Sequence, residues 1–295
     1  AMKNAKLAVE EGKMGKVEDK YNKIIAKVKG TWNDIKDMKT IGKIEENKDK
    51  GVSKYAKPVG VIGGLIPSTN CEATPPIKGL FTIKGRNAII MAPHPRTKKT
   101  SCMMVDLMRK ALREKGAPED LIQCIEEPSL ELANELMKQC DLIVATGGQS
   151  MVKAAYSSGT PAYGVGQGNA TVIIDETADI ESAAEKIRKS KTFDYATSCS
   201  TENSLVVEES IYDEFMKALQ TEGGYLVDEN EKQKLGNALW PDGKHLNKDI
   251  VARSHNVIAE AANIKLTEGK TFFIVEEENV GPEYPFSREK LSVVV

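Results

Sequence analysis

Apolar residues along this chain fall into two alternating textures. Short unbroken runs, "VGVIGGLIP" (59–67), "NAIIMAP" (87–93) and "DLIVATGG" (141–148), each close on proline or glycine. Runs of that length between chain breakers predict buried strands. Between the first two lies "CEATPPIKGLFTIKG" (71–85), whose paired prolines suit the opening turn of a helix. "TSCMMVDLMRKALREKGAP" (100–118) has apolar residues at helical spacing and ends in Gly-Ala-Pro, and "SMVKAAYSSG" (150–159) predicts a further helix. Strands that alternate with helices imply an α/β fold: a mostly parallel sheet with helices on both faces.

The flanks differ. Residues 1–56 are rich in Lys and Glu, with apolar residues at helical spacing in "YNKIIAKVKGTW" (21–32), and predict surface helices followed by the polar turn "EENKDKG" (45–51). After the glycine-rich "GTPAYGVGQGN" (159–169) a second α/β unit is expected, from "ATVIIDE", the helix "ESAAEKIRKSK", "SLVVEE", the helix "SIYDEFMKALQ", "FFIVEE" and "LSVVV". The boundary is placed near Gly166, giving domains 1–166 and 167–295. There is no internal repeat and no low-complexity segment.

Composition narrows the function. The 295 residues are 40% hydrophobic, enough for one large or two ordinary domains, and 41 Lys+Arg against 43 Asp+Glu leave no basic field for nucleic acid or an anionic membrane. No apolar stretch approaches the roughly 20 residues of a membrane span, and "AMKNAKLAVEEGKMG" has no signal core, so a cytoplasmic location is expected. Cys71, Cys102, Cys124, Cys140 and Cys199 show no zinc-type spacing, and their odd number argues against a disulfide framework. Reduced thiols and no metal site are the expectation. Cys102, Cys124 and Cys140 lie in helix-like patterns and read as small buried side chains.

In an open parallel sheet the ligand crevice lies at the carboxyl ends of the strands. Three polar loops follow those ends: "PSTNCEATPP" (67–76), "PHPRTKK" (93–99) and "TGGQS" (146–150). The glycines of the third let the backbone approach a phosphate at the following helix N-terminus. Strand–Gly-Gly–helix turns also occur in folds that bind no nucleotide, and the strict GxGxxG fingerprint is missing after the first strand. In "FDYATSCSTENSLVV" (193–207) Cys199 stands among small and hydroxyl-bearing residues ahead of an apolar run. It reads either as a nucleophile or as a small apolar side chain near a strand.

With "PVGVIGGLIPSTN", "GRNAIIMAPHPRTKKT", "DLIVATGGQSMVKAAYSSGTPAYGVGQGNATVIIDETADI", "KTFDYATSCSTENSLVV" and "YPFSREKLS" in this order, the chain resembles the aldehyde dehydrogenase superfamily over nearly its whole length. Within it, the likeness is to the CoA-acylating branch. The resemblance implies a Rossmann-type cofactor domain and a second α/β catalytic domain that is incomplete at "KLSVVV". It implies NAD as cofactor, coenzyme A and a small aldehyde as substrates, and a homo-oligomer at full length. Acetaldehyde, succinate semialdehyde and sulfoacetaldehyde all remain open as the aldehyde.

The resemblance also assigns roles. Cys199 falls on the family's nucleophile, whose thiohemiacetal oxyanion needs donors already in place. Asn70 matches the family's oxyanion asparagine, although a turn residue holding its loop reads similarly. Gly147 and Gly148 match the turn beside the pyrophosphate, and Pro67, Ser68 and Gly166 belong to the same cofactor loops. His94 and Arg96 sit where the family packs the adenosine end; a solvated basic turn is the plainer reading of that loop. His245 and His255 have no motif around them.

Hydrolytic family members carry a glutamate shortly before the second domain that activates water against the thioester. The resemblance places Gly164 there, with no nearby carboxylate before Asp175, which favours capture by coenzyme A. The family's usual proline after the asparagine is replaced by Cys71, a second thiol beside the expected site. The alternatives to an acylating enzyme are a non-catalytic nucleotide-binding or assembly protein, against which the pair Cys199 and Asn70 counts, and a hydrolytic dehydrogenase, against which Gly164 counts.

Overall fold

The computed structural model describes residues 1–295, which separate into two compact units. The first comprises Ala1–Gly12 and Lys20–Gly166, and the second Lys13–Asp19 and Gln167–Val295. Residues 13–19, at the amino end, thus pack with the second unit.

The chain opens with α1 (Met2–Gly12) and α2 (Val17–Ile35). An antiparallel hairpin follows, β1 (Gly42–Asn47) paired with β2 (Val52–Ala56). This corrects the expected polar turn at 45–51, which supplies half of β1 as well as the turn itself. Both strands are almost wholly exposed, so no apolar pattern marked them.

The rest of the first unit is β3 (Val61–Ile66), α3 (Thr74–Lys84), β4 (Ala88–Pro93), α4 (Lys98–Glu114), β5 (Ile122–Cys124), α5 (Leu130–Gln139), β6 (Leu142–Thr146), α6 (Gln149–Tyr156) and β7 (Ala162–Val165). The five strands β3 to β7 are all parallel, in the order β5-β4-β3-β6-β7. Chain direction across the sheet reverses between β3 and β6, the switch point at which doubly wound sheets open a crevice. Alternate residues face opposite sides, as pleating requires. Leu65 and Ile143 pack with Leu136, Met137 and Ala155 of α5 and α6, whereas Ile62, Ile66, Ile89 and Met91 pack with Val105 of α4. Pro75 and Pro76 open α3, and the Glu11 carboxylate accepts from Lys99 N and Thr100 N, both at 2.9 Å, at the start of α4.

The second unit contains β8 (Ala170–Ile174), α7 (Ile180–Thr192), β9 (Glu202–Val207), α8 (Tyr212–Thr221), β10 (Gly224–Leu226), α9 (Glu229–Leu239), α10 (His255–Ala262) and β11 (Phe272–Ile274). Its parallel pairs are β8 with β9 and β10 with β11. "LSVVV" continues the second pair: Phe273 N donates to Val293 O at 2.8 Å and Val295 N to Phe273 O at 3.0 Å. The core gathers Phe215, Leu219, Leu235, Ile258, Phe272, Phe273, Val293 and Val294. No helix is long and apolar enough to cross a membrane.

Candidate active site

In the first unit, the loops after β3, β4 and β6 carry most of the residues singled out from sequence. His94 N donates to Ile66 O at 3.1 Å, which holds the ends of β3 and β4 side by side. The exposed His94 caps the turn Pro95–Thr97, its Nδ1 accepting from Arg96 N at 3.1 Å. Its ring thus serves the turn. Pro67, Ser68 and Asn70 are half-buried on the strand-to-helix loop after β3.

Gly147 N donates to Val165 O at 3.2 Å, and Gly148 is the N-cap of α6. A side-chain carbon at Gly148 would meet nothing, and one at Gly147 only Met151 at 3.7 Å. The space over this turn is open, and the first N–H groups of α6 have no intrahelical acceptor. A phosphate fits that combination. Gly166 has similar latitude, its nearest neighbour being Val152 at 3.6 Å.

Gly164 differs. A Cβ there would lie 2.6 Å from Val152 Cγ1 and 2.8 Å from Tyr156 Cε2, because α6 packs directly on β7. The Tyr156 hydroxyl also accepts from Gly164 N at 2.9 Å. Any side chain at 164 has to displace the Val152 or Tyr156 side chain of α6, and 159–169 contains no carboxylate.

Buried charge beneath these loops was not anticipated. Lys78 of α3 donates to Leu65 O at 2.6 Å and Val144 O at 2.7 Å, tying β3 to β6 at the switch point, and burial pushes its pKa down to about 7. Lys20 and Lys23 of α2, read from sequence as surface residues, are 1% and 3% exposed and reach Glu72, which is 0% exposed. The available signal was their spacing: Lys20, Lys23 and Ile24 share one helix face. Cys71 is buried as well. Burial first, then the Glu72 carboxylate, raises its thiol pKa far above the ordinary value, so it is an inert small side chain.

The second unit carries Cys199 in a turn just ahead of β9, and its thiol is exposed. Three successive non-glycine residues before it, Asp194, Tyr195 and Ala196, are left-handed, with φ of 50°, 49° and 59°. That conformation costs roughly 1–2 kcal/mol per residue. Asp194 is fully buried and holds the run in place: Lys16 N donates to its Oδ1 at 2.8 Å, its own N–H donates to Asp19 Oδ2 at 2.8 Å, and Thr197 Oγ1 donates to its carboxylate. At the start of β9, buried Lys191 donates to Glu202 O and buried Lys290 to Asn203 O.

The remaining cysteines divide. Cys140 is a buried free thiol, as expected, but Cys102 and Cys124 are joined in a disulfide between α4 and β5, with Cα atoms 5.6 Å apart. This corrects the expectation that all five are reduced. Their 22-residue separation fits no motif; only the packing of α4 beside β5 brings them together.

The pattern of the aldehyde dehydrogenase family matches residues 6–263. A sulfoacetaldehyde dehydrogenase of Acholeplasma sp is 51% identical over 298 residues, which is all of this chain and 61% of that protein. An acetylating aldehyde dehydrogenase from Geobacillus thermoglucosidasius superposes with a TM-score of 0.95 at 45% identity, over 99% of this chain and 65% of that one. A propionaldehyde dehydrogenase of Rhodopseudomonas palustris, solved with bound CoA and an acylated cysteine, gives 0.85 at 29%, over 99% and 66%. This chain therefore spans less than two thirds of the first two relatives. The likeness runs through both units, from the first helix to the end of α10, and on that ground the chain belongs to the aldehyde dehydrogenase family.

Proposed function

We propose that the full-length protein oxidises a small aldehyde to its acyl-CoA, with Cys199 as the nucleophile. The observation that carries this reading is the exposed Cys199 thiol in a chain whose stretch 159–169 holds no carboxylate and packs shut around Gly164. The Cys199 thiolate adds to the aldehyde carbon, and the resulting oxyanion takes hydrogen bonds from Cys199 N–H and the Asn70 amide. NAD, when bound, supplies the hydride acceptor, and Gly147, Gly148 and the start of α6 are the groups suited to its pyrophosphate, with Pro67, Ser68, His94, Arg96 and Gly166 around it.

Loss of hydride leaves an acyl thioester on Cys199. With Gly164 where hydrolytic family members carry their glutamate, water is left a weak, neutral nucleophile, whereas the thiol of coenzyme A needs less activation. The coenzyme A thiol releases its proton to solvent, its sulfur bonds to the acyl carbon, the Cys199 sulfur leaves as thiolate, and acyl-CoA departs. Relatives named as acylating and a neighbour holding CoA support this choice. The exposed Ile44, Val52 and Tyr55 of the β1–β2 hairpin support a homo-oligomer.

Product analysis tests the reading. Full-length protein with aldehyde, NAD and saturating coenzyme A should yield acyl-CoA by mass spectrometry, with free acid forming slowly. Free acid alone, at early times, would refute the acylating assignment.

A further inference from the structure

Lys20 and Lys23 lie one turn apart on the face of α2 that buries Ile24, and both ammonium groups reach the loop 69–72. Lys20 Nζ is 3.3 Å from Thr69 O and 3.4 Å from Glu72 Oε1. Lys23 Nζ donates to Asn70 Oδ1 at 3.0 Å and lies 4.0 Å from the same Glu72 oxygen. Taking these charges out of water is costly, and well-packed apolar residues of similar volume are often as stabilising. Stability alone therefore does not account for the cluster.

An ammonium has three donors and no acceptor. The Asn70 atom facing Lys23 is thus the oxygen, and the amide cannot be turned over without setting donor against donor. Its nitrogen takes the opposite side, where one of its two hydrogens points to Thr69 Oγ1 at 3.3 Å. A side-chain amide, normally free to flip, has one orientation here.

We propose that Lys23 is a positioning residue for Asn70: it fixes the amide with its NH2 group presented as a donor, and its charge polarises that group toward stronger donation. The proposal rests on the reading of Asn70 as an oxyanion donor. Preorganisation is what such a donor needs, because an amide that must rotate during the reaction loses much of its advantage. The ammonium acts from the far side of the amide and transfers no proton.

A double-mutant cycle in the full-length protein tests this. Asn70→Ala should lower kcat by about 100- to 1,000-fold. Lys23→Met should lower kcat by about 10-fold or more, with the KM for aldehyde within about twofold, and should cost nothing further in the Asn70→Ala background. Lys23→Arg, which keeps a charged donor, should recover most of the loss. A structural role would instead cost the same in both backgrounds, and that additive result overturns the proposal, as does a Lys23→Met variant within about twofold of the parent. If Lys23→Met melts below the assay temperature, Lys23→Gln, one atom shorter and uncharged, is carried through the same cycle, where a cost that adds to that of Asn70→Ala again overturns the proposal. Should Asn70→Ala lose less than about threefold, the oxyanion reading fails and takes this one with it; a large Asn70 effect with additive Lys23 effects overturns only the positioning role.

Discussion

Lys290 holds Asn203 twice: its backbone N–H donates to Asn203 Oδ1 at 3.0 Å, and its ammonium donates to the Asn203 carbonyl. The same ammonium reaches Phe286 O at 2.6 Å and Arg288 O at 3.3 Å. Burial pushes Lys290 down to about 7, and it pushes neighbouring Lys191 lower too, with the Lys290 charge adding to that effect.

A pH dependence of stability follows. Below about pH 7 Lys290 is protonated in both states, and the folded state bears the full desolvation cost. Between there and its ordinary value of 10.5, the unfolded chain binds a proton that the folded chain has released, so stability rises with pH. Lys290→Met removes this response and lets Lys191 recover some basicity. Urea unfolding from pH 6 to 9 should therefore show wild type gaining on the variant by up to about 1.4 kcal/mol per pH unit. A constant gap would refute it.

Cys199→Ala should abolish the acyl-enzyme adduct and aldehyde-dependent NADH formation while leaving NAD affinity nearly unchanged. Intact-protein mass spectrometry after exposure to acyl-CoA reads the adduct directly, and an unchanged adduct in the variant would move the nucleophile elsewhere.

Gly164→Ala should destabilise the chain by about 1–3 kcal/mol, because its methyl group would press on Val152 and Tyr156. Val152→Ala in the same chain should restore part of the loss. Equal melting temperatures for parent and Gly164→Ala would show that α6 yields freely.

With Cys102 and Cys124 bonded, denaturation without reductant should expose three alkylatable thiols, those of Cys71, Cys140 and Cys199. Mass spectrometry counting five labels would mean the bond is absent in solution.

The strands at 61–66, 88–93 and 142–146 were legible because each is a buried apolar run between breakers, and α3 because its prolines occupy the first turn. The hairpin was hidden: exposed Lys and Glu side chains satisfy a strand as well as a turn. Three-residue β5 and β10 are too short for any period to register. The nucleophile and asparagine candidates came from long motifs, but the buried lysines beneath them did not. A local pattern reports whether a residue is polar, not that Glu72 arrives some fifty positions later to receive it. The disulfide was unreadable for the same reason.

The left-handed run at Asp194–Ala196 also bears on how the chain is made and handled. Its anchors, Lys16 and Asp19, leave the ribosome long before Asp194, being 178 and 175 positions ahead of it. The entire first sheet is synthesised in that interval, so the amino-terminal strip has to wait, unassembled, for the segment it will brace. Loss of residues 13–19 would leave every residue of the Cys199 turn in place yet remove two of the hydrogen bonds that hold Asp194. For this protein, a tag or a protease site near residue 16 is an intervention at Cys199.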